Sequence, residues 1–576
     1  MKRNRLIFLI SLIIISVFVT ICLLAGSSLS LTTGKAKGTK VVQPNNPVNN
    51  ATCLNKCHST VRMLNSRGAH KNVNCASCHD ISVDHAANPS EKTRPTTRFS
   101  HETCGQCHVN EFKSIYSKKY HDEWTKKETD INYLVFADSG SGLYSRVQGK
   151  LPRHHVSALY DLAVNTTGGR FEFKNGQYGW NIVGGRLWDN VYDAHPADGN
   201  EIKTYTPRTA FRLHRGFGTN FNNSICMTCK TGEFILDWPY MGVPNEKAKF
   251  NRATAPYEVL RAVNYGLTCN VCHDPHSAEP RIIRDSFIRA LTDPQYKDNV
   301  YQSDPKKTKI EVIDMGERGF PRKIAILEKY DSNLQCGQCH CATDLNGEFD
   351  AKTDQLISAR QVDGMNITPM MGPFEFIDFH EKRGWYNGGK HPATGARLIV
   401  AGHPNVEIVM TSKHGQAGVG CTDCHFATET DQKTKRSYKS HISTLPTYKI
   451  QQTCMAAACH GKGSTQNWTE ADALYNIKTI QHLQRKRLAE LELNLERLIA
   501  GIVAAQRIGG IDKGVIEKAQ KAHVKALAAQ TYWATDFSNG VHNPELSEKS
   551  LSKALLDVSS SYEELNKALK DKGETK

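Results

Sequence analysis

In five places a Cys-x-x-Cys pair is followed at once by histidine, ending at His79, His108, His273, His340 and His425. A chain built on that repeat folds around something besides its own side chains. Two thioethers from each pair can hold a porphyrin, and the next residue binds iron from below. A single pair would suit a disulfide or a zinc site as well. Zinc wants two pairs converging and asks for no histidine after every second cysteine. The repeats therefore read as c-type haem sites through Cys75 and Cys78, Cys104 and Cys107, Cys269 and Cys272, Cys336 and Cys339, and Cys421 and Cys424. Two stretched versions fit the same logic: Cys53 and Cys57 before His58, and Cys454 and Cys459 before His460. Either could be a pair that attaches nothing, but their histidines and their places in the series favour haem.

An eighth site breaks the pattern. Cys226-Met227-Thr228-Cys229 is followed by Lys230. An amine below the iron points to a haem that does chemistry as well as relaying electrons. Eight sites use all but two of the 18 cysteines, leaving Cys22 in an N-terminal apolar run and Cys341 directly after a haem histidine.

The chain has 576 residues and a formal charge of +15. Such a balance ordinarily suggests nucleic acid or a membrane surface. Eight haems bring roughly sixteen propionate charges, so the loaded protein is near neutral and no nucleic-acid partner is expected. Much of the excess Lys and Arg is expected to pair with propionates. Stacked porphyrins leave little room for sheets, so the expected fold is mainly α: a multihaem cytochrome c with eight packed haems, little β structure and long C-terminal helices.

Residues 1–26 carry Lys2-Arg3-Asn4-Arg5 and then an apolar run over residues 6–26, a secretory signal or an uncleaved membrane anchor. Both place the rest of the chain outside the cytoplasm, in the periplasm or an equivalent compartment. Residues 27–50 read as a polar linker, 51–125 as a three-haem domain, 126–465 as a five-haem catalytic domain, and 466–576 as a helical region. Within the last, Leu474, Ile477, Ile480, Leu483, Leu488, Leu491, Leu495, Leu498 and Ile499 recur mostly at three and four, which predicts an amphipathic helix from Trp468 to about Ala504. Gly509-Gly510 ends it, and further helices are expected over 513–537 and 547–570. His482 and His523 on these helices read as surface residues.

The order of three histidine sites, one lysine site and four histidine sites resembles the octahaem cytochrome c nitrite reductases, whose last five haems are similar to those of the pentahaem ammonia-forming enzymes. The strings Gly168-Gly169-Arg170-Phe171-Glu172-Phe173-Lys174-Asn175, Cys272-His273-Asp274-Pro275-His276-Ser277 and His542-Asn543-Pro544-Glu545 carry the likeness, which covers roughly residues 50–560. The resemblance implies seven bis-histidine haems. Distal ligands would be His155, His414, His441 and His542 in the catalytic part, and His70, His85 and His121 for the first three haems, with His276 in reserve. It further implies substrate on the open face of the Lys230 haem, held by Arg170 and supplied with protons by His403. It also implies a small inorganic nitrogen substrate, a quinol-linked or soluble cytochrome as electron donor, and a homo-oligomer.

The chain departs from that family where a tyrosine and calcium ligands are expected. Cys341-Ala342-Thr343 stands in place of Val-Glu-Tyr, and Val400 and Gly402 replace a lysine and a glutamine before His403. Thr343 is a far weaker acid than a phenol, and no calcium is expected with those side chains gone. Cys341 is either a packed thiol or a replacement for lost chemistry. Three readings stay open: reduction of nitrite and hydroxylamine to ammonium; reduction of sulfite or another small oxyanion, or hydroxylamine oxidation; and an electron conduit with a vestigial site.

Overall fold

A computed structural model of the chain describes residues 155, 229 and 231–233 and, with short breaks, 48–115 and 267–574. Among them, helices dominate and strands are short. Most attachment motifs begin in a short helix or a tight helical turn, and three of these are opened by a side-chain cap from Asn49, Asn74 or Asp331. Asn49 accepts from the Ala51 N–H ahead of Asn50–Lys56. Asp331 accepts from Asn333 N–H at 2.8 Å ahead of Ser332–His340, which carries Cys336, Cys339 and His340. Capping the first free N–H groups lets so short a helix start where packing alone would not hold it.

The main sheet has three antiparallel strands, Arg281–Ile282, Pro321–Leu327 and Ile310–Glu317, with the second in the middle. It braces the loop between the motif ending at His273 and helix Ser332–His340. Arg281 N–H bonds Cys272 O at 2.8 Å, and Gln335 Nε2 donates to Arg281 O at 2.8 Å. The residues before Gly68 come against the same loop. A Cβ at Gly68 would lie 1.9 Å from Ser277 O, and Arg67 pairs with Glu279 and Glu311. Only glycine permits that approach.

Three helices close the chain: Glu470–Ile508, Lys513–Ala534 and Pro544–Glu574. The first opens in a capping box between Thr469 and Asp472 and stops at Gly509, whose φ of 69° a side chain would resist. Leu491, Leu495, Leu498 and Ile502 are fully buried along one face. Leu551, Val558 and Leu565, seven apart, form the facing stripe on the third helix. Each fully buried side chain of this size contributes about 1.5–3 kcal/mol. Gly501 lets the two helices meet, since a Cβ there would stand 3.1 Å from Leu565 Cδ2. The stripe is shallower than its spacing predicts at the N-terminal end. Leu483 is 53% exposed, and continuous burial begins at Gln484, whose Nε2 donates to Trp533 O. No helix among the described residues is long and apolar enough to cross a membrane. Residues 6–26 lie outside them.

His523 corrects the surface expectation: it is 1% exposed. The Ala-rich helix Lys513–Ala534 is covered over most of its second half, and His523 Nδ1 meets Thr394 Oγ1 at 3.4 Å. The buried His391 ring stands edge-on to it, with centroids 5.0 Å apart. Burial pushes His391 down to about 4, and burial with His391 nearby pushes His523 down to about 3. Both therefore fold as neutral imidazoles. The unfolded chain takes up their protons from about pH 6.5 downward while the folded one does not, so stability is lost as the pH drops through that window. Each group contributes a slope of about 1.4 kcal/mol per pH unit. Thermal unfolding between pH 7 and 4 is expected to show a shallower loss in His523→Leu than in the parent; equal slopes would mean that the pair does not drive the acid sensitivity.

Candidate functional site

The structure brings the histidines together in facing pairs. Ring centroids lie 6.3 Å apart for His58 and His85, 6.0 Å for His108 and His70, and 6.4 Å for His79 and His276. They lie 6.5 Å apart for His273 and His441, 6.4 Å for His340 and His155, 6.3 Å for His425 and His542, and 5.9 Å for His460 and His414. Two imidazole nitrogens bound about 2 Å from one iron hold their ring centres about 6 Å apart. Every attachment motif that ends in histidine thus has a second ring at the distance of a shared iron. His121 lies outside the described residues; the ring facing His79 is His276. His340 has a second neighbour, His403, at 6.5 Å and nearly perpendicular.

Several of these rings are also held from behind. Nδ1 of His70 lies 2.7 Å from Pro275 O, that of His441 2.9 Å from Lys439 O, and that of His79 3.1 Å from Thr97 Oγ1. Nδ1 of His542 donates to Asp536 Oδ1 at 2.7 Å. An acceptor at Nδ1 fixes the tautomer and leaves the Nε2 lone pair for a metal.

A second observation tests whether haem fits. Arg284 is 0% exposed, and its Nε, Nη1 and Nη2 all lack a hydrogen-bond partner. It comes directly after the segment that lies against both Cys272 and helix Ser332–His340, and its charge acts on the thiols of Cys272 and Cys339. A bare buried guanidinium is too costly to stand in a finished protein. A propionate between these two motifs is the anion that would satisfy it.

The cysteines give the order in which the motifs adjoin. The sulfurs of Cys75 and Cys53 lie close enough to influence each other, as do those of Cys104 and Cys269. So do Cys339 and Cys229, and Cys336 and Cys421. Cys78 feels the charge of Cys104, Cys272 that of Cys336, and Cys424 that of Cys454. The motifs ending at His58, His79, His108, His273 and His340 thus form a line, from which the lysine motif and the motifs ending at His425 and then His460 branch.

Lys230, Cys226, Arg170 and Thr343 lie outside the described residues. Two residues past Lys230 in the chain, Gly232 O accepts from Asn270 Nδ2 at 3.3 Å. His403 adopts a φ of 59°, a left-handed backbone that a non-glycine residue holds only when its surroundings impose it. Cys341 is buried among Met370, Val406 and Leu334. Ala342 N–H donates to the buried Glu407 at 2.7 Å. Sequence reasoning missed Arg284, Asp536 and Glu407 entirely. For Glu407, the spacing His403-Pro404-Asn405-Val406-Glu407, one helical turn past the histidine, was the available signal.

The cytochrome c552 family profile matches residues 212–576. The chain belongs to the cytochrome c552 family. It is 25% identical over 321 residues to the cytochrome c-552 of Bacteroides thetaiotaomicron, a match covering 55% of this chain and 53% of that protein. It is 26% identical over 329 residues to the cytochrome c nitrite reductase subunit NrfA of Nitratidesulfovibrio vulgaris, covering 55% of each. The match thus spans about half the length of these relatives. The solved cytochrome c nitrite reductase of Desulfovibrio desulfuricans superposes with a TM-score of 0.45 at 17% identity, over 67% of this chain and 71% of that one. Family membership and the repeated attachment motifs make this chain a multihaem c-type cytochrome.

Proposed function

We propose that the chain is an octahaem oxidoreductase that reduces nitrite and hydroxylamine to ammonium at the haem held by Cys226, Cys229 and Lys230. The observation that carries this reading is the close approach of Cys229 to Cys339, which sets the lysine motif beside a line of histidine-paired motifs. Bound haem supplies reversible one-electron storage at seven bis-histidine irons and an open coordination position at the eighth. Arg170 would hold the anion by its fixed charge. His403 would deliver protons as the N–O bonds break, while His155 pairs with His340. Thr343 replaces the phenol of the similar enzymes. The loss of the calcium-ligand side chains at Ala342, Val400 and Gly402 supports a site without calcium. The chain would work outside the cytoplasm, supplied by a quinol-linked or soluble cytochrome donor, with residues 6–26 as signal or anchor.

The exchange of Val-Glu-Tyr for Cys341-Ala342-Thr343 favours a second reading, in which the pocket has turned to another small oxyanion such as sulfite. Ammonium formation from nitrite and, separately, hydroxylamine, with a reduced viologen as donor, separates the two. Ammonium from both supports the first reading, and from hydroxylamine alone places Thr343 at the early steps. Ammonium from neither sinks it.

The distal assignments are tested one by one. His276→Ala is expected to add one high-spin haem to the visible and paramagnetic spectra, whereas His121→Ala leaves the low-spin count unchanged. The reverse result would return the His79 haem to His121.

A further inference from the structure

Asp536 is 0% exposed and lies just past the helix Lys513–Ala534. Besides His542 Nδ1, its Oδ1 accepts from Asn405 Nδ2 at 3.2 Å and Ser538 N–H at 3.3 Å. Its Oδ2 accepts from the Ser538 hydroxyl at 2.6 Å and Gly540 N–H at 3.1 Å. The Ser538 oxygen in turn accepts from His542 N–H at 3.0 Å. This is a built cradle for an ionised carboxylate, pointed at the back of one imidazole.

The other backed histidines differ. His70 and His441 lean on backbone carbonyls and His79 on a hydroxyl. Asp274 approaches His276 Nδ1 only to 3.8 Å, and Arg281 neutralises it at 3.0 Å. Among the described residues no Lys or Arg pairs with Asp536.

We infer that Asp536 is a positioning residue that lowers the reduction potential of the haem held by Cys421, Cys424 and His425, acting through His542. A carboxylate accepting from Nδ1–H makes the imidazole a stronger donor, and an unpaired buried negative charge stabilises ferric over ferrous iron. The inference rests on His542 being the distal ligand of that haem. Its consequence comes from the order of the motifs. The His425 haem separates the branch point at His340 from the last haem at His460. Making it hard to reduce turns an electron at the branch point towards the lysine-ligated haem.

The test is a spectroelectrochemical titration of the haem-loaded protein. In Asp536→Asn, one haem is expected to move to a more positive potential while the low-spin spectrum persists. In Ser538→Ala the carboxylate loses a donor, and the same haem is expected to move to a more negative potential. Local damage to packing would move both variants in one direction, and that outcome, or no movement in Asp536→Asn, overturns the inference. His542→Ala tests the ligand assignment separately. Loss of one low-spin haem upholds the assignment on which the inference stands, and an unchanged low-spin count removes that assignment and the inference with it.

Discussion

Replacing His403 with alanine is expected to cut turnover of nitrite and hydroxylamine by roughly 10²–10⁴-fold, the span over which a positioned proton donor acts. The number of low-spin haems should stay the same. That second readout matters because the His403 ring stands as far from His340 as the His155 ring does. Were His403 the ligand, its loss would add a high-spin haem, and His155→Ala would not. A proton donor fails differently: the rate falls, and added small imidazoles or a lower pH restore part of it. The left-handed backbone at His403 points the same way, because strain of this kind costs of order 1–3 kcal/mol and persists where the surroundings over-determine it.

Replacing Arg284 with methionine is expected to destabilise the haem-loaded protein by about 3–5 kcal/mol, the loss seen when one member of a buried ion pair is removed. The sign is the informative part. If no propionate meets the guanidinium, methionine relieves a buried charge and the protein becomes more stable. A rise in the unfolding midpoint of Arg284→Met would therefore remove haem propionate from this position. Arg284→Lys keeps the charge but loses the planar fork, so an intermediate loss is expected.

The features legible in the sequence are those that lie contiguous in it. Covalent attachment needs two thiols and an axial ligand within a few residues, so each haem motif stands in the chain as an unbroken string. The C-terminal helices were legible for a similar reason, since their apolar positions recur along one local axis and Gly509 marks the stop. Distal partners are a different matter. His276 pairs with His79 only because the loop after His273 comes against Gly68, a contact no local pattern announces, although the sequence holds His276 in reserve as a distal candidate. His523 reads as a surface residue because it stands alone on a C-terminal helix, away from any haem motif. The structure covers that face with the segment around Thr394, which supplies a partner that lone-residue reasoning does not anticipate. Leu483 errs in the opposite direction: periodicity gives the side of a helix, and depth depends on how far its neighbours extend.

The contact at Gly68 also bears on how the protein is made. His70 reaches Pro275 O across 205 residues of chain, and the ring opposite His79 comes from the same loop. At a synthesis rate of about 5–20 residues per second, that loop emerges roughly 10–40 s after the first motifs. A porphyrin joined early to Cys75 and Cys78 would spend that interval with one side of its iron uncovered, able to take up small ligands or peroxide. Any chain broken off before Asp274 would stay in that state. Cells making this protein thus have reason to delay haem attachment at the first motifs, or to shield those motifs until residue 276 has arrived.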